Sequence, residues 1–325
     1  MIEIGQRLAG SHALVFGGTG FLGSHIVSAL VDAGARVTIF DLREPRAGAH
    51  ARAGANEPRA IIGDVTEADA VRAAIDGVDH IFAFAGGSGA VRSLANPLAD
   101  LRTSCEAQLV LLEAMREVAP EATVVFPGSR LEYGKVHALP VSEDHPLHGT
   151  SPYALHKIAC DGYHHIYAEA HGLKTIVLRI SNPYGAHTSG DSARHGYGIV
   201  NRFVDMAMAG ETIPLYGGGG QLRDLIHVDD VVRAALLACC GNDDAWGSAI
   251  NIGSGAGVSL RDMAEAVVAE AGNGAVDVDA PWPADAAAVE TGDFYFDVTL
   301  AREVLGWVPE TSLGEGIRRL VAAAR

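Results

Sequence analysis

The 325-residue chain contains no run approaching the roughly 18 apolar residues of a membrane span, and no early segment joins a basic start to a long apolar stretch. A soluble, cytoplasmic protein with no membrane partner is expected. Cysteine is scarce: Cys105, Cys160, Cys239 and Cys240 show no C-x-x-C spacing, so buried free thiols are expected rather than disulfides or metal ligands. Positive charge is scarce too. Lysine and arginine number 24 against 40 aspartates and glutamates, a formal net charge of −16. That balance opposes binding to nucleic acid and means that an anionic ligand needs a local basic pocket. Of the 14 histidines, His145 with His148 and His164 with His165 stand close in sequence. Neither pair has a cysteine or carboxylate at a recognised ligand spacing, so no metal is expected. Internal repeats and low-complexity linkers are also missing.

What is present begins with residues 14–25, LVFGGTGFLGSH. Ala13 to Phe16 form an apolar run without polar alternation, as in a central parallel strand covered on both faces. Phe21, Leu22, Ile26, Val27, Leu30 and Val31 then recur at helical spacing, and Gly34 can end that helix. The glycines at 17, 20 and 23 therefore lie between a strand and a helix. There unpaired backbone N–H groups and the positive end of the helix dipole can receive a pyrophosphate. A second strand, Arg36 to Phe40, leads into Asp41, at the spacing of about 20 residues expected for the acid that holds an adenosine ribose. Asp41 would repel a 2′-phosphate, which favours NAD over NADP, although Arg43 and Arg46 lie close by.

Strand candidates Ala13–Phe16, Val37–Phe40, Ala60–Ile62, His80–Ala83, Thr123–Phe126 and Thr175–Ile180 alternate with helical patterns over 21–33, 67–76, 100–118 and 152–171. That alternation predicts an α/β fold with a Rossmann-type, doubly wound parallel sheet, whose ligands bind beyond the carboxyl ends of the strands. Residues 1–180 are expected to form this domain, with 223–252 returning to it. Residues 181–325 should form a smaller C-terminal substrate-binding lobe.

Beyond strand Thr123–Phe126, Ser129 sits in PGSRLEYGK, and a later helix opens with SPYALHK, containing Tyr153 and Lys157. Residues four apart share a helix face, so the ammonium can stand beside the phenol. A free tyrosine has a pKa of about 10, and a neighbouring cation favours its phenolate form. Lys157 with an oxidised nicotinamide ring would supply that charge, and Ser129 could hydrogen-bond the reacting hydroxyl.

These segments, with GDV at 63–65, LRISNPYG at 178–185, RDLIHVDD at 223–230, NIGSG at 251–255 and LGWVPETSLGEGI at 305–317, occur in order along nearly the whole chain. The chain resembles the extended short-chain dehydrogenase/reductases, specifically the nucleotide-sugar epimerases and dehydratases. The resemblance implies that Gly17, Gly20 and Gly23, with Phe21 and Leu22, cradle the NAD pyrophosphate. Asp41 would hold the adenosine ribose, with Asp64 and Val65 near adenine. Ser129, Tyr153 and Lys157 become the catalytic set, Tyr153 being the base and Lys157 also binding the nicotinamide ribose. Asn182 would face a nucleoside-diphosphate sugar and Arg223 its diphosphate, the bland alternative being a salt bridge with Asp224 or Asp229. In loop 188–201, Arg194, followed by Arg202, is a further candidate countercharge.

Dehydratases of this kind carry adjacent acids after the Ser129 position, where Arg130 and Leu131 stand here. Decarboxylases place a glutamate at the position of Leu131, whereas here Glu132 is one residue late. Both departures favour a 4-epimerase; a dehydratase, a UDP-glucuronate decarboxylase and a 4-ketosugar reductase are the other enzyme readings. Many UDP-sugar epimerases also carry an arginine shortly before the late Gly-Asp pair, where Glu290 stands here. A nonenzymatic, NAD-responsive interaction protein is the reading from another class, and intact Ser129, Tyr153 and Lys157 weigh against it. Leu101, Leu109, Leu112 and Met115, with the Tyr153 helix, match the helices that pair relatives into dimers, so a homodimer is expected.

Overall fold

The computed structural model describes residues 2–46, 57–86, 89–187, 198–241 and 245–325. Strands β1 (His12–Phe16), β2 (Arg36–Asp41), β3 (Arg59–Ile62), β4 (His80–Ala83), β5 (Thr123–Ser129) and β6 (Lys174–Ile180) are followed by short strands β7 (Asn182–Tyr184), β8 (Thr212–Tyr216), β9 (Leu222–Arg223) and β10 (Leu225–His227), and by β11 (Ala249–Ile252), β12 (Val258–Ser259) and β13 (Ala275–Ala280). Seven of them form one parallel sheet in the order β11-β6-β5-β4-β1-β2-β3. This is the doubly wound α/β sheet that the alternating pattern implied.

The period of two along β1 sorts its side chains to opposite faces. Ala13 and Val15 join Ile26, Leu30, Val231 and Leu236 in one core, whereas Leu14 and Phe16 join Phe40, Val71, Leu112 and Met115 in the other. All five residues of β1 are thus apolar or half-buried because helices cover both faces. The chain leaves β1 toward β2 and β3, then crosses back to β4 on the other side of β1. A crevice opens at that switch point.

After β6 the chain enters a smaller lobe with its own core of Phe203, Val204, Ile213, Leu215, Met263, Val267, Ile317 and Leu320. Its strands form three two-stranded pairs, β7 with β10, β8 with β13 and β9 with β12. Helix Val228–Cys239 and strand β11 lie back on the large sheet, β11 pairing with β6 as its edge. All four cysteines are free and buried.

Two elements differ from their sequence pattern in ways that shape the crevice. The pattern over 100–118 resolves into helix Pro97–Leu101, a π-helical turn Arg102–Glu106 and helix Ala107–Val118. The Thr103 hydroxyl donates to the Ala99 carbonyl at 3.0 Å, an acceptor that a regular turn would give to a backbone N–H. Strand β5 continues three residues past Phe126, with Pro127, Gly128 and Ser129 paired in register with Leu178, Arg179 and Ile180. Ser129 is therefore itself the last paired residue of a central strand, three residues beyond the expected end.

Candidate active site

The turn after β1 is made of glycine because backbone crowds it. Gly17 has φ +75°, and a Cβ there would lie 2.7 Å from the Ala85 nitrogen and the Phe84 carbonyl oxygen; one on Gly23 would fall on the Gly17 carbonyl. Helix Phe21–Asp32 starts at Gly20 with no side-chain cap. Its first N–H groups and its positive dipole end face the crevice, which suits a pyrophosphate. Two cavities, of about 220 and 720 Å³, share Gly17, Gly20, Phe84, Ala85 and Gly86 and make one extended slot. Asp41, Asp64 and Val65 line one end; Phe21, Leu22, Gly23, Ser129, Tyr153 and Lys157 line the other.

At the first end, Asp41 accepts hydrogen bonds from the Thr19 hydroxyl at 2.7 Å and the Arg43 backbone N–H at 3.1 Å. The Arg43 guanidinium pairs with the same carboxylate at 3.8 Å. Arg43 is thus already engaged by an acid, which disfavours its recruiting a 2′-phosphate. Asp64 closes a turn by accepting from the backbone N–H and hydroxyl of Thr66, at 2.9 and 2.8 Å.

At the other end, helix Pro152–His171 is capped by the Ser151 hydroxyl on the Ala154 N–H and carries Tyr153 and Lys157 on its inner face. The Lys157 ammonium donates to the Pro127 carbonyl at 2.5 Å and lies 4.3 Å from the Phe126 ring centroid and 5.8 Å from that of Tyr153. Burial pushes the Tyr153 phenol above its ordinary pKa, an effect that hydrogen bonding with Ser129 opposes. Burial also lowers the pKa of Lys157. The protein alone therefore holds Tyr153 protonated, and a further positive charge is needed to make it a base.

Glu132, which the sequence pattern singled out only as displaced, lies beneath Ser129 and is fully buried. One of its oxygens accepts the Ser129 backbone N–H at 2.5 Å, while the Ser129 hydroxyl accepts the N–H of Leu131. This reciprocal capping box fixes Ser129 at the strand end. Burial, reinforced by the negative charge of Asp161, pushes the Glu132 carboxyl up to about 8, against the pull of Arg179. Arg179 gives its two strongest bonds to Asp161, at 2.6 and 2.8 Å, and a third to the Tyr133 hydroxyl at 2.8 Å.

The chain entering the smaller lobe lines this end of the slot with Ser181 and Pro183, and a polar cluster adjoins them. Asn182 begins β7, beside β10, and its amide donates to the Asp224 carbonyl at 2.7 Å. Arg223 is buried, but neither Asp224 nor Asp229 is its partner, contrary to the alternative weighed from sequence. It pairs with both carboxylate oxygens of Glu290 at 2.7 Å and donates to the carbonyls of Leu222 and Gly292. Asp224 is instead spent on the backbone N–H groups of Ser254 and Phe296, and Asp229 on His227 and Arg319. Arg130 reaches this cluster from the large domain, donating to the Asn182 side-chain oxygen at 3.0 Å and to the Thr291 hydroxyl at 3.2 Å. Sequence spacing had no means of joining residue 130 to 182 and 291. Arg194 lies outside the described residues, and Arg202 is exposed on helix Ile199–Met208.

A profile of the NAD dependent epimerase/dehydratase family matches residues 13–253, and the chain belongs to that family. It is 31% identical over 315 residues to the UDP-glucose 4-epimerase of Mycolicibacterium smegmatis, covering 95% of this chain and 96% of that one. Among solved structures, MoeE5 in complex with UDP-glucuronic acid and NAD matches with a TM-score of 0.84 at 27% identity, over 97% of this chain and 99% of that one. UDP-glucose 4-epimerase from Thermotoga maritima with UDP-glucose matches with a TM-score of 0.83 at 28% identity, over 96% and 98%. The chain is accordingly an NAD-dependent enzyme of the nucleotide-sugar epimerase type, and the nonenzymatic reading falls. The glycine cradle, which any Cβ would fill, and the Asp41 end of the slot fit that cofactor.

Proposed function

We propose that the protein interconverts the C4 epimers of a nucleoside-diphosphate sugar through a transient 4-keto sugar. The observation that carries this reading is the meeting of Ser129, Tyr153 and Lys157 in one cavity with the glycine cradle, with Arg130 and Leu131 where eliminating enzymes carry acids. NAD, when bound, supplies a hydride acceptor and donor for C4 and a positively charged ring near the phenol. Tyr153 takes the proton of the C4 hydroxyl while Ser129 holds that oxygen by hydrogen bonding. Lys157, anchored on Pro127, orients the nicotinamide ribose and adds positive charge beside the phenolate. Once the 4-keto sugar has turned its other face to the slot, Tyr153 returns the same proton, so no separate acid is required. On the smaller lobe, Asn182 and Arg223 bind the sugar and its diphosphate, with Arg194 as an auxiliary cation.

The test is product analysis of the NAD-loaded protein with UDP-glucose, UDP-galactose and their uronate counterparts. Formation of the 4-epimer without net change in NADH is the expected result. Release of carbon dioxide, loss of water or net NADH consumption would instead identify a decarboxylase, a dehydratase or a reductase.

The same reading includes a homodimer. Leu112 and Met115 are spent in the protein's own core, but Leu98 and Leu101 remain exposed on helix Pro97–Leu101, and Leu155 and Ile166 on helix Pro152–His171. Leu155 and Ile166 share a face with Gly162, where a Cβ would meet nothing within 4 Å. Sedimentation should give a dimer at micromolar concentration, and Leu155→Glu a monomer.

A further inference from the structure

We infer that the sugar of the substrate carries a carboxylate on C5, a hexuronate rather than a neutral hexose, and that Arg130 recognises it. This inference rests on the reading of the site as one for nucleoside-diphosphate sugars. The two arginines of the polar cluster differ in what balances their charge. Arg223 is matched by Glu290 in a bidentate pair. Arg130 has no carboxylate within ion-pair distance among the described residues. Its two hydrogen bonds go to neutral oxygens, those of Asn182 and Thr291. A guanidinium has five N–H donors, so three remain uncommitted. The Phe294 ring, 5.4 Å from the guanidinium carbon, holds the group by cation–π contact.

Burial and the neighbouring charge of Arg223 bring the Arg130 pKa down to about 10. The guanidinium is half-buried, its hydrogen bonds go only to neutral oxygens, and Glu290 and Asp224 act on it only from beyond ion-pair distance, so a ligand carboxylate in direct contact would be favourable. Its place in the chain indicates which ligand group that is. Arg130 directly follows Ser129, which lines the slot and is proposed to address the C4 hydroxyl, and it bonds Asn182, which lies between the slot-lining Ser181 and Pro183. On a pyranose, C4 is flanked by C3, which carries a neutral hydroxyl, and by C5, whose exocyclic carbon can be a carboxylate. The charge-bearing substituent nearest C4 therefore meets the cation next to the C4-binding serine. The planar fork of arginine suits a carboxylate bidentately.

The experiment uses calorimetry on NAD-loaded Tyr153→Phe protein, which binds without turnover, with UDP, UDP-glucose and UDP-glucuronate as probes. UDP-glucuronate should bind about thirtyfold tighter than UDP-glucose, roughly 2 kcal/mol. Adding Arg130→Gln should bring that ratio to within about threefold while UDP affinity moves less than threefold. Adding Arg130→Lys, which keeps the charge without the fork, should hold an intermediate ratio and controls for misfolding. Equal or tighter binding of UDP-glucose overturns the inference. So does an Arg130→Gln effect of equal size on all three probes, which would assign Arg130 to the diphosphate. If none of the probes binds, a site for UDP sugars is excluded and this inference falls with it. If UDP-glucuronate is preferred but the wild-type enzyme releases carbon dioxide from it, the inference stands and the 4-epimerase reading fails.

Discussion

The two walls of the active-site slot are built from different materials. The cofactor wall is backbone: glycines crowded against Phe84 and Ala85, and a helix start whose N–H groups carry no side-chain cap. The proposed substrate wall is a cluster of polar and charged side chains, Arg130, Asn182, Arg223, Glu290 and Thr291, drawn from four separate points in the chain. Backbone geometry tolerates almost no substitution, whereas a charge cluster can be rebalanced by exchanging its members. The cofactor wall therefore constrains the enzyme to its class of chemistry, while the substrate wall is where specificity changes.

The largest effect is expected at the seam between the walls. Tyr153→Phe removes the proton acceptor without removing any contact to phosphate or ribose. Turnover should fall by about 10³-fold or more, within the range usual for a general base, while NAD affinity changes less than threefold. Near-normal turnover would break the comparison at its centre, because neither wall would then hold the base. On the cofactor wall, Gly17→Ala forces a Cβ to 2.7 Å from two backbone atoms at φ +75°. NAD affinity should fall about a hundredfold, with a loss of roughly 1–3 kcal/mol in stability from the strained backbone. Fluorescence titration with NADH and a denaturant melt would read the two effects separately.

A smaller and more selective change is expected on the substrate wall. Arg223→Ala deprives the diphosphate of its countercharge and leaves Glu290 unpaired, so nucleotide-sugar affinity should drop about tenfold to a hundredfold with NAD affinity unchanged. Glu290→Gln should act in the opposite direction. It frees Arg223 from its internal partner, and UDP affinity should rise by a few fold. Equal weakening by both variants would mean that the Arg223–Glu290 pair is a structural strut rather than a balance of charge.

The difference between the walls also explains what could be read from the chain before folding. The glycine turn, its strand and helix, and Asp41 lie within one local unit of the chain, so spacing alone carried them. The parallel, doubly wound character of the sheet and the shared helix face of Tyr153 and Lys157 followed from the same periodicities. Arg130 looked only like a missing acid, because its partners Asn182 and Thr291 are 52 and 161 residues away. The partner of Arg223 was sought among near neighbours, Asp224 and Asp229, and found at Glu290, 67 residues on. The end of β5 was misjudged for a local reason. The strand pattern stopped at Phe126, but neighbouring β6 holds Pro127 and Gly128 in register and the Pro127 carbonyl becomes the anchor of Lys157.

The smallest expected effect concerns the support beneath the seam. Glu132 holds the Ser129 backbone N–H through one oxygen, while its second oxygen has no hydrogen-bond partner and lies 3.4 Å from Arg179. Asp161 takes the stronger bonds of that arginine, so the fold favours a protonated Glu132, whose pKa rises to about 8. An unfolded glutamate titrates near 4.3, so the folded value is the higher one. The contribution of Glu132 to stability is therefore fully present below about pH 4.3, declines as pH rises toward 8 and is constant above it. Glutamine keeps the acceptor for Ser129 but cannot ionise. Glu132→Gln should thus match or fall slightly below the wild type at pH 5 and gain on it steadily to pH 9, by at most a few kcal/mol. Thermal melts at pH 5, 7 and 9 read this directly. Parallel Tm profiles for the two proteins would show that Glu132 is ionised throughout, and that Arg179 balances two carboxylates instead of one.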